Sequence, residues 1–282
     1  MFGSHLSISG GMTNALIAAE GYGMETVQVF TKNQQQWKCR PLEEGAIGEW
    51  KAEQGRLKFK KTVSHDSYLI NLAAVNEETW RKSVDLFVEE IRRCQQLEIP
   101  YLVAHPGAHM GAGEEAGIGK IAKALDEIHQ RIEAPGVTTC LEITAGQGSC
   151  LGCKLEHLAE IIEKVKEPGR LGVCLDTAHL FAAGYDFRGG KYDAFRKEVE
   201  RTIGISRVKV LHLNDSKKEL GSRVDRHEHI GLGKIGVEGF RPIVRDEAFA
   251  EVPKILETPK GVDEKGRDWD VVNLGVLRGL MG

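Results

Sequence analysis

Residues 171–176 read LGVCLD, and residues 101–105 read YLVAH. Each is a short, nearly continuous apolar run that closes on a group able to bind a metal or a proton. A strand that is apolar on both faces belongs in a parallel sheet covered by helices. Outward from this pair the figure recurs at FGSHLS (2–7), TVQVF (26–30), KTVSH (61–65), TTCLEI (138–143), VKVLHL (208–213) and KILET (254–258). The runs start roughly 25 to 45 residues apart, the length of a strand plus a covering helix.

Helical patterns occupy most of the gaps. Thr13 to Glu20 is short and Ala-rich. Glu77 to Leu97 sets Trp80, Val84, Phe87, Val88 and Ile91 on one face. Glu115 to Ile132, Leu155 to Val165 and Tyr192 to Ile203 follow the same rule. Strands alternating with helices imply a parallel α/β sheet with right-handed crossovers, and eight of them imply a closed (β/α)8 barrel. No GxGxxG follows the first strand, which argues against a dinucleotide fold, and GLGKIG at 231–236 directly follows no strand. No linker or low-complexity tract interrupts the rhythm, so one domain is expected over residues 1–282.

Composition narrows the classes. The chain has 282 residues, 41% hydrophobic and 28% charged, which excludes a disordered chain. No apolar run nears the roughly 20 residues that span a bilayer. The first residues, MFGSHLSISGG, carry neither the basic nor the apolar region of a signal peptide, so a cytoplasmic protein without a membrane partner is expected. A net charge of −3 argues against nucleic-acid binding through bulk positive charge and leaves local patches and metal ions as the means. Six cysteines (Cys39, Cys94, Cys140, Cys150, Cys153 and Cys174) are expected to be reduced. Cys150 and Cys153 form a lone CxxC without the second pair of a zinc ribbon, and read as incidental thiols in a loop.

The chemistry lies in what ends each strand: His65, His105, Glu142, Asp176, His212 and Glu257, with His179 just beyond Asp176. A barrel collects the C-terminal ends of its strands at one mouth, where active sites lie. A lone histidine there is ordinarily a hydrogen-bonded structural residue, and a lone buried glutamate is ordinarily paired with a cation. Here the ends are populated one after another, and few Lys or Arg residues stand by to neutralise them. Buried groups of this kind without cations would repel or stay unsatisfied, and metal ions supply the missing charge. In residues 214–236, NDSKKELGSRVDRHEHIGLGKIG, Asp225 and His227 stand two apart, so extended backbone turns both to one face. Standing alone this would be a solvated charged loop, but its glycines point to a special backbone shape. Five His, two Asp and two Glu are too many for one tetrahedral ion and suit two or three ions sharing carboxylates.

The segments SHDSYLINL (64–72), HPG (105–107), LEITAGQG (141–148), LDTAHLFAAGYD (175–186), HLNDSKKELGSRVDRHEHIGLGKIG (212–236) and LETP (256–259) resemble those of the endonuclease IV family of zinc-dependent apurinic/apyrimidinic (AP) endonucleases. The likeness runs from the first strand to the last. It implies a TIM barrel with a metal cluster at the C-terminal face of the strands and three Zn2+ per chain, with Mn2+ or Fe2+ able to serve in part. By resemblance, His65, His105 and Glu142 hold one ion. Glu142, the bridging catalytic carboxylate, shares a second with Asp176, His212 and Glu257. His179, Asp225 and His227 hold the third. The family pattern has Asn where Ile143 stands and a basic residue where Gln35 stands.

The resemblance implies hydrolysis of the phosphodiester 5′ to an abasic site, leaving a 3′-hydroxyl and a 5′-deoxyribose phosphate, and removal of blocking groups from 3′ ends. The expected partner is double-stranded DNA with abasic sites or blocked 3′ ends, bound by a monomer. An abasic nucleotide has lost its stacking and pairing and is the easiest to flip out. Gln35, Gln36, Tyr68 and Leu69 are the expected wedges, on loops after strands two and three. Arg223 and Arg226 flank Asp225 and are expected at backbone phosphates, and Lys32, Lys38 and Arg40 make the first of these loops basic. Two other classes stand beside this reading: a metal-dependent sugar isomerase or epimerase on a related barrel, and a damage-binding module without catalysis. The first has no use for Asp225 and His227 as a third-ion pair; the second would lack a complete ligand set.

Overall fold

The computed structural model describes residues 1–134 and 136–282. Its strands are β1 (Phe2–Ser4), β2 (Gln28–Val29), β3 (Val63–His65), β4 (Tyr101–Ala104), β5 (Thr138–Glu142), β6 (Leu171–Asp176), β7 (Val208–His212), β8 (Asp215–Ser216), β9 (His227–Glu228) and β10 (Lys254–Leu256). All but β8 and β9 pair in parallel in the order β1-β10-β7-β6-β5-β4-β3-β2. A parallel bridge between His5 and Gln28 spans the remaining seam, so the sheet is a nearly closed barrel. β8 and β9 form a small antiparallel ribbon inside the loop after β7.

Side chains alternate along a strand, so positions two apart share a face. Val63, Val103, Cys140, Cys174, Val210 and Ile255 fill one buried cluster inside the barrel. Two residues further along each chain segment come His65, His105, Glu142, Asp176, His212 and Glu257. The polar groups are therefore the next inward layer above an apolar plug. Ala104, Leu141, Leu175, Leu211 and Leu256, at the intervening positions, belong to the larger core beneath the helices. Two apolar faces make the runs continuous, and the last inward position breaks them.

The helices are α1 (Thr13–Gly21), α2 (Glu44–Leu57), α3 (Glu77–Leu97), α4 (Glu114–Arg131), α5 (Leu155–Lys164), α6 (Thr177–Ala183), α7 (Tyr192–Thr202), α8 (Val237–Arg245) and α9 (Trp269–Gly279). α3 starts where the Asn76 side chain accepts a hydrogen bond from the Thr79 amide at 2.9 Å. It buries Trp80, Val84, Phe87, Val88 and Ile91, the face its periodicity marks. The helices without a clear pattern have local reasons. Within α2 only Trp50 is buried, α6 is a short turn capped by Asp176, and α8 carries Pro242 in its interior. Among the described residues no helix is long and apolar enough to cross a membrane.

The seam needs a glycine. A Cβ on Gly3 would stand 2.3 Å from the Thr26 carbonyl oxygen, so β1 reaches its neighbour only without a side chain there. Gly3→Ala should destabilise the chain by about 1–3 kcal/mol through overpacking. At roughly 2–4 °C per kcal/mol for a protein of this size, calorimetry should record a Tm several degrees lower. An unchanged Tm would remove Gly3 from the seam.

Candidate metal centre

Glu142 lies at the centre of the mouth and is fully buried. Its Oε2 is 3.2 Å from His65 Nε2 and 3.2 Å from His105 Nε2. Its Oε1 is 3.0 Å from His212 Nδ1 and 3.2 Å from His179 Nδ1. His212 Nδ1 also lies 3.3 Å from Glu257 Oε2 and 3.8 Å from Asp176 Oδ2. On the far side, Asp225 faces His179 Nε2 at 3.2 Å and His227 Nε2 at 3.3 Å. His227 Nε2 is buried and has no hydrogen-bond partner. All the residues expected at the cluster are thus together.

The donor atoms fall into overlapping sets, each lying within 4.8 Å of one another: His65, His105 and Glu142; Glu142, Asp176, His212 and Glu257; and Asp176, His179 and His227. Asp225 stands outside these sets, and among the described residues the ionic partners of Glu142, Asp176, Asp225 and Glu257 are histidines, with no Lys or Arg. Four carboxylates and five imidazoles around shared centres fit divalent cations of the zinc, manganese or iron type. Cys174 also lies near Glu142 and His212, but burial pushes its thiol well above the usual range, and it belongs to the apolar layer below.

The second nitrogen of most of these rings is already committed. His65 Nδ1 donates to the Asp66 carbonyl at 3.0 Å, His227 Nδ1 to the Glu257 carbonyl at 3.2 Å, and His212 Nε2 to Gln28 Oε1 at 2.8 Å. Such bonds fix the tautomer and aim the other nitrogen inward. His179 Nδ1 donates to the Ile143 carbonyl at 2.9 Å. The backbone does this work, so an apolar side chain at 143 is tolerated and sits in the core.

Several supporting residues escape a reading of motifs. Gln28 Nε2 donates to Glu257 Oε1 at 2.6 Å, and His5 Nδ1 lies 3.1 Å from the same oxygen. Asn214 donates to Asp176 Oδ2 at 2.6 Å and accepts from the Glu257 amide at 2.7 Å. A glutamine in an otherwise apolar strand, TVQVF, is the one signal that could have pointed to Gln28. Asp215 accepts the amides of Gly231, Gly233, Ile235 and Gly236. A Cβ on Gly233 would fall 2.4 Å from Asp215 Oδ1. GLGKIG is thus a wrap around a buried carboxylate, and it steadies the loop that presents Asp225 and His227.

Beside the cluster a cavity of about 560 Å3 is lined by His105, His179, Asp225, Tyr68, Gln147 and Arg226, among others. Tyr68 is 69% exposed at its rim, and its ring centroid lies 6.0 Å from that of His65. Leu69 is half-buried, and Gln35, Gln36, Arg223 and Arg226 lie toward solvent. The glutamines do not line the cavity. Lys32 departs from expectation: it is buried, donates to the Asn33 carbonyl at 2.8 Å and lines a cavity shared with His227 and Glu257 instead of standing on the exposed face of the loop. Cys150 is exposed beside the cavity, and both CxxC thiols are free.

The electrostatics show what the cluster does without cations. Burial opposes charge on His65, His179, His212 and His227, yet the surrounding carboxylates overcome it and raise all four, His227 to about 9. Burial would likewise raise Glu142 and Glu257, but their histidine neighbours hold both well below the usual range.

A family described as xylose isomerase-like TIM barrel matches residues 16–271. The chain is 50% identical over 283 residues to the probable endonuclease 4 of Chloroflexus aggregans, covering 99% of this chain and 97% of that protein. It is 45% identical to the probable endonuclease 4 of Geobacter sulfurreducens, covering 99% and 94%. The crystal structure of endonuclease IV from Thermus thermophilus superposes with a TM-score of 0.86 at 34% identity, covering 99% of this chain and 98% of that one. A D-tagatose 3-epimerase-like protein shares the fold, with a TM-score of 0.73 at 19% identity and coverage of 99% and 96%.

Raised histidines stabilise the fold below their ordinary value of 6.5, and that contribution fades as the pH climbs through the raised values. Depressed carboxylates contribute above their ordinary range and lose that contribution only in acid. The chelated chain should therefore lose thermal stability between about pH 6.5 and the 9 of His227. With divalent metal present, which takes the neutral imidazole, the decline should flatten. Thermal melts across this range, with and without chelator, measure it. A chelated chain whose Tm rises with pH would contradict the assignment.

Proposed function

The chain belongs to the endonuclease IV family, and from that premise we propose that it hydrolyses the phosphodiester 5′ to abasic sites in double-stranded DNA, using three zinc ions held at the barrel mouth. The chain is a DNA-repair nuclease of the hydrolase class, with clustered ligands suited to divalent metal. The observation that carries the proposal is the ring of imidazoles and carboxylates around Glu142, whose members line two cavities that share Tyr68.

In this reading His65, His105 and Glu142 hold one ion, Glu142, Asp176, His212 and Glu257 a second, and His179, Asp225 and His227 a third. Bound divalent ions supply Lewis-acid polarisation of a phosphate and activation of water near neutral pH. The protein's own residues do the rest. Glu142 sets the spacing of the first two sites with its two oxygens. Gln28 and the Asp66, Ile143 and Glu257 carbonyls keep the ring protons on the outward nitrogens. Burial of the floor excludes bulk water. Tyr68 and Leu69 stand beside the cavity and fill the gap left when the abasic nucleotide leaves the stack. Gln35 and Gln36 act from the adjoining loop, and Arg223 and Arg226 meet phosphates. The same pocket serves removal of 3′-blocking groups.

Three experiments test this. The purified chain should carry about three divalent ions and incise an abasic duplex. Glu142→Gln should fold but lose incision by about three orders of magnitude or more, because an amide bridges cations poorly. Near-normal incision by that variant would contradict the role. Replacing Tyr68 and Leu69 together by alanine should leave metal content unchanged. It should slow incision of abasic duplexes far more than removal of a 3′-terminal phosphate, since wedge contacts offset unstacking of a few kcal/mol. Equal loss of both activities would remove the wedge role from the pair.

A further inference from the structure

Away from the metal cluster, α3 turns a pair of buried charged residues toward the loop after β2. Glu90 is fully buried and Arg93 nearly so. Arg93 Nε donates to Thr31 Oγ1 at 3.2 Å, its Nη1 to the Arg40 carbonyl at 3.0 Å, and its Nη2 to the Thr31 carbonyl. Thr31 Oγ1 donates to Glu90 Oε2 at 2.9 Å. One guanidinium thus spans the two ends of the segment 31–40. Within it, Gln34 Nε2 donates to the Lys32 carbonyl at 3.0 Å, and the Gln35 amide donates to Asn33 Oδ1 at 2.8 Å. Ser67 Oγ donates to the Gln34 carbonyl at 3.0 Å, which ties the segment to the loop carrying Tyr68 and Leu69.

Neither Glu90 nor Arg93 belongs to the donor sets of the metal centre. A buried arginine is costly to desolvate, and this one directs its fork to backbone carbonyls and a hydroxyl. Glu90 Oε1 is left buried without a hydrogen bond. What the arrangement provides is a fixed backbone shape, with Gln35 and Gln36 exposed at its crest. Only the planar fork of arginine bridges both ends at once.

We infer that Arg93, seated against Thr31 and Glu90, is a positioning residue that pre-forms the 31–40 loop for engagement of duplex DNA. The inference rests on the functional reading above, in which Gln35 and Gln36 meet the damaged duplex. Ordering this loop before the encounter removes part of the entropy that binding would otherwise lose. The effect belongs to substrate capture and leaves the chemistry at Glu142 untouched.

The test uses the metal-loaded full chain with Arg93→Lys, which keeps the charge but loses the fork. On a duplex with one abasic site, KM should rise about tenfold while kcat stays within about threefold. Metal content should not change. Trp37, inside the same segment, should become more accessible to acrylamide quenching, with a Trp37→Phe control to assign the signal. If Arg93→Lys does not fold, Thr31→Val removes the hydroxyl between Arg93 and Glu90 at nearly constant volume. It should raise KM by about threefold. Unchanged KM and quenching would overturn the inference, as would a fall in kcat that tracks loss of metal. If the unmodified chain leaves abasic duplexes uncut, the functional reading fails, and increased Trp37 quenching would then support the clamp on its own.

Discussion

A carboxylate with no access to water and, among the described residues, no lysine or arginine paired with it governs this molecule. Glu142 is fully buried and has imidazole nitrogens 3.0–3.2 Å from its two oxygens. Taking such a charge out of water costs several kcal/mol even after relaxation. Protonated histidines offset part of that in the metal-free chain, and the raised imidazoles and depressed carboxylates are two faces of that compensation. Divalent cations offset it better, because one ion serves several ligands. The barrel, the tautomer-fixing hydrogen bonds and the wrapped loop all act to keep these groups from drifting apart.

The barrel itself was legible because two rules of strand geometry coincide. A strand between helices and a lumen is apolar on both faces, and positions two apart share a side. Val103 and His105 show both rules at once: the first belongs to the apolar plug, the second to the site. The long apolar face of α3 was equally legible. α2 was not, since Trp50 is its one fully buried anchor, and α6 is too short to show a period. At the site, residues with metal-binding side chains announced themselves. Gln28 and Asn214 did not, because amides are ordinary in loops and strands, and their work depends on partners up to 229 residues distant. Lys32 was misread for the converse reason: a lysine in a polar loop is ordinarily exposed, and here it is folded under its own turn.

The two ends of the barrel divide the labour. At the end opposite the site, Lys254 is buried, donating to the Phe249 and Val252 carbonyls, and burial lowers it to about 8. Its ammonium lies 5.8 Å from the centre of the Phe2 ring. These contacts join β10 to its neighbours and offer no open chemistry. Polar burial at the mouth is of another kind: there the buried carboxylates of Glu142 and Asp176 face imidazole nitrogens gathered from several strands and loops.

The same barrel in proteins of 19% identity or less shows that the scaffold does not decide the chemistry. His65, His105, Glu142, Asp176, His212 and Glu257 come from the strand ends, which any such barrel could equip. His179, Asp225 and His227 come from beyond them, from α6 and the long loop after β7. That loop holds its shape because four amides close on Asp215 and because β8 pairs with β9. Its glycines are required where Asp215 leaves no room for a Cβ, as at Gly233. The loop is therefore what brings Asp225 and His227 to the mouth beside His179. Asp215, buried beneath it, holds the backbone shape on which that placement depends.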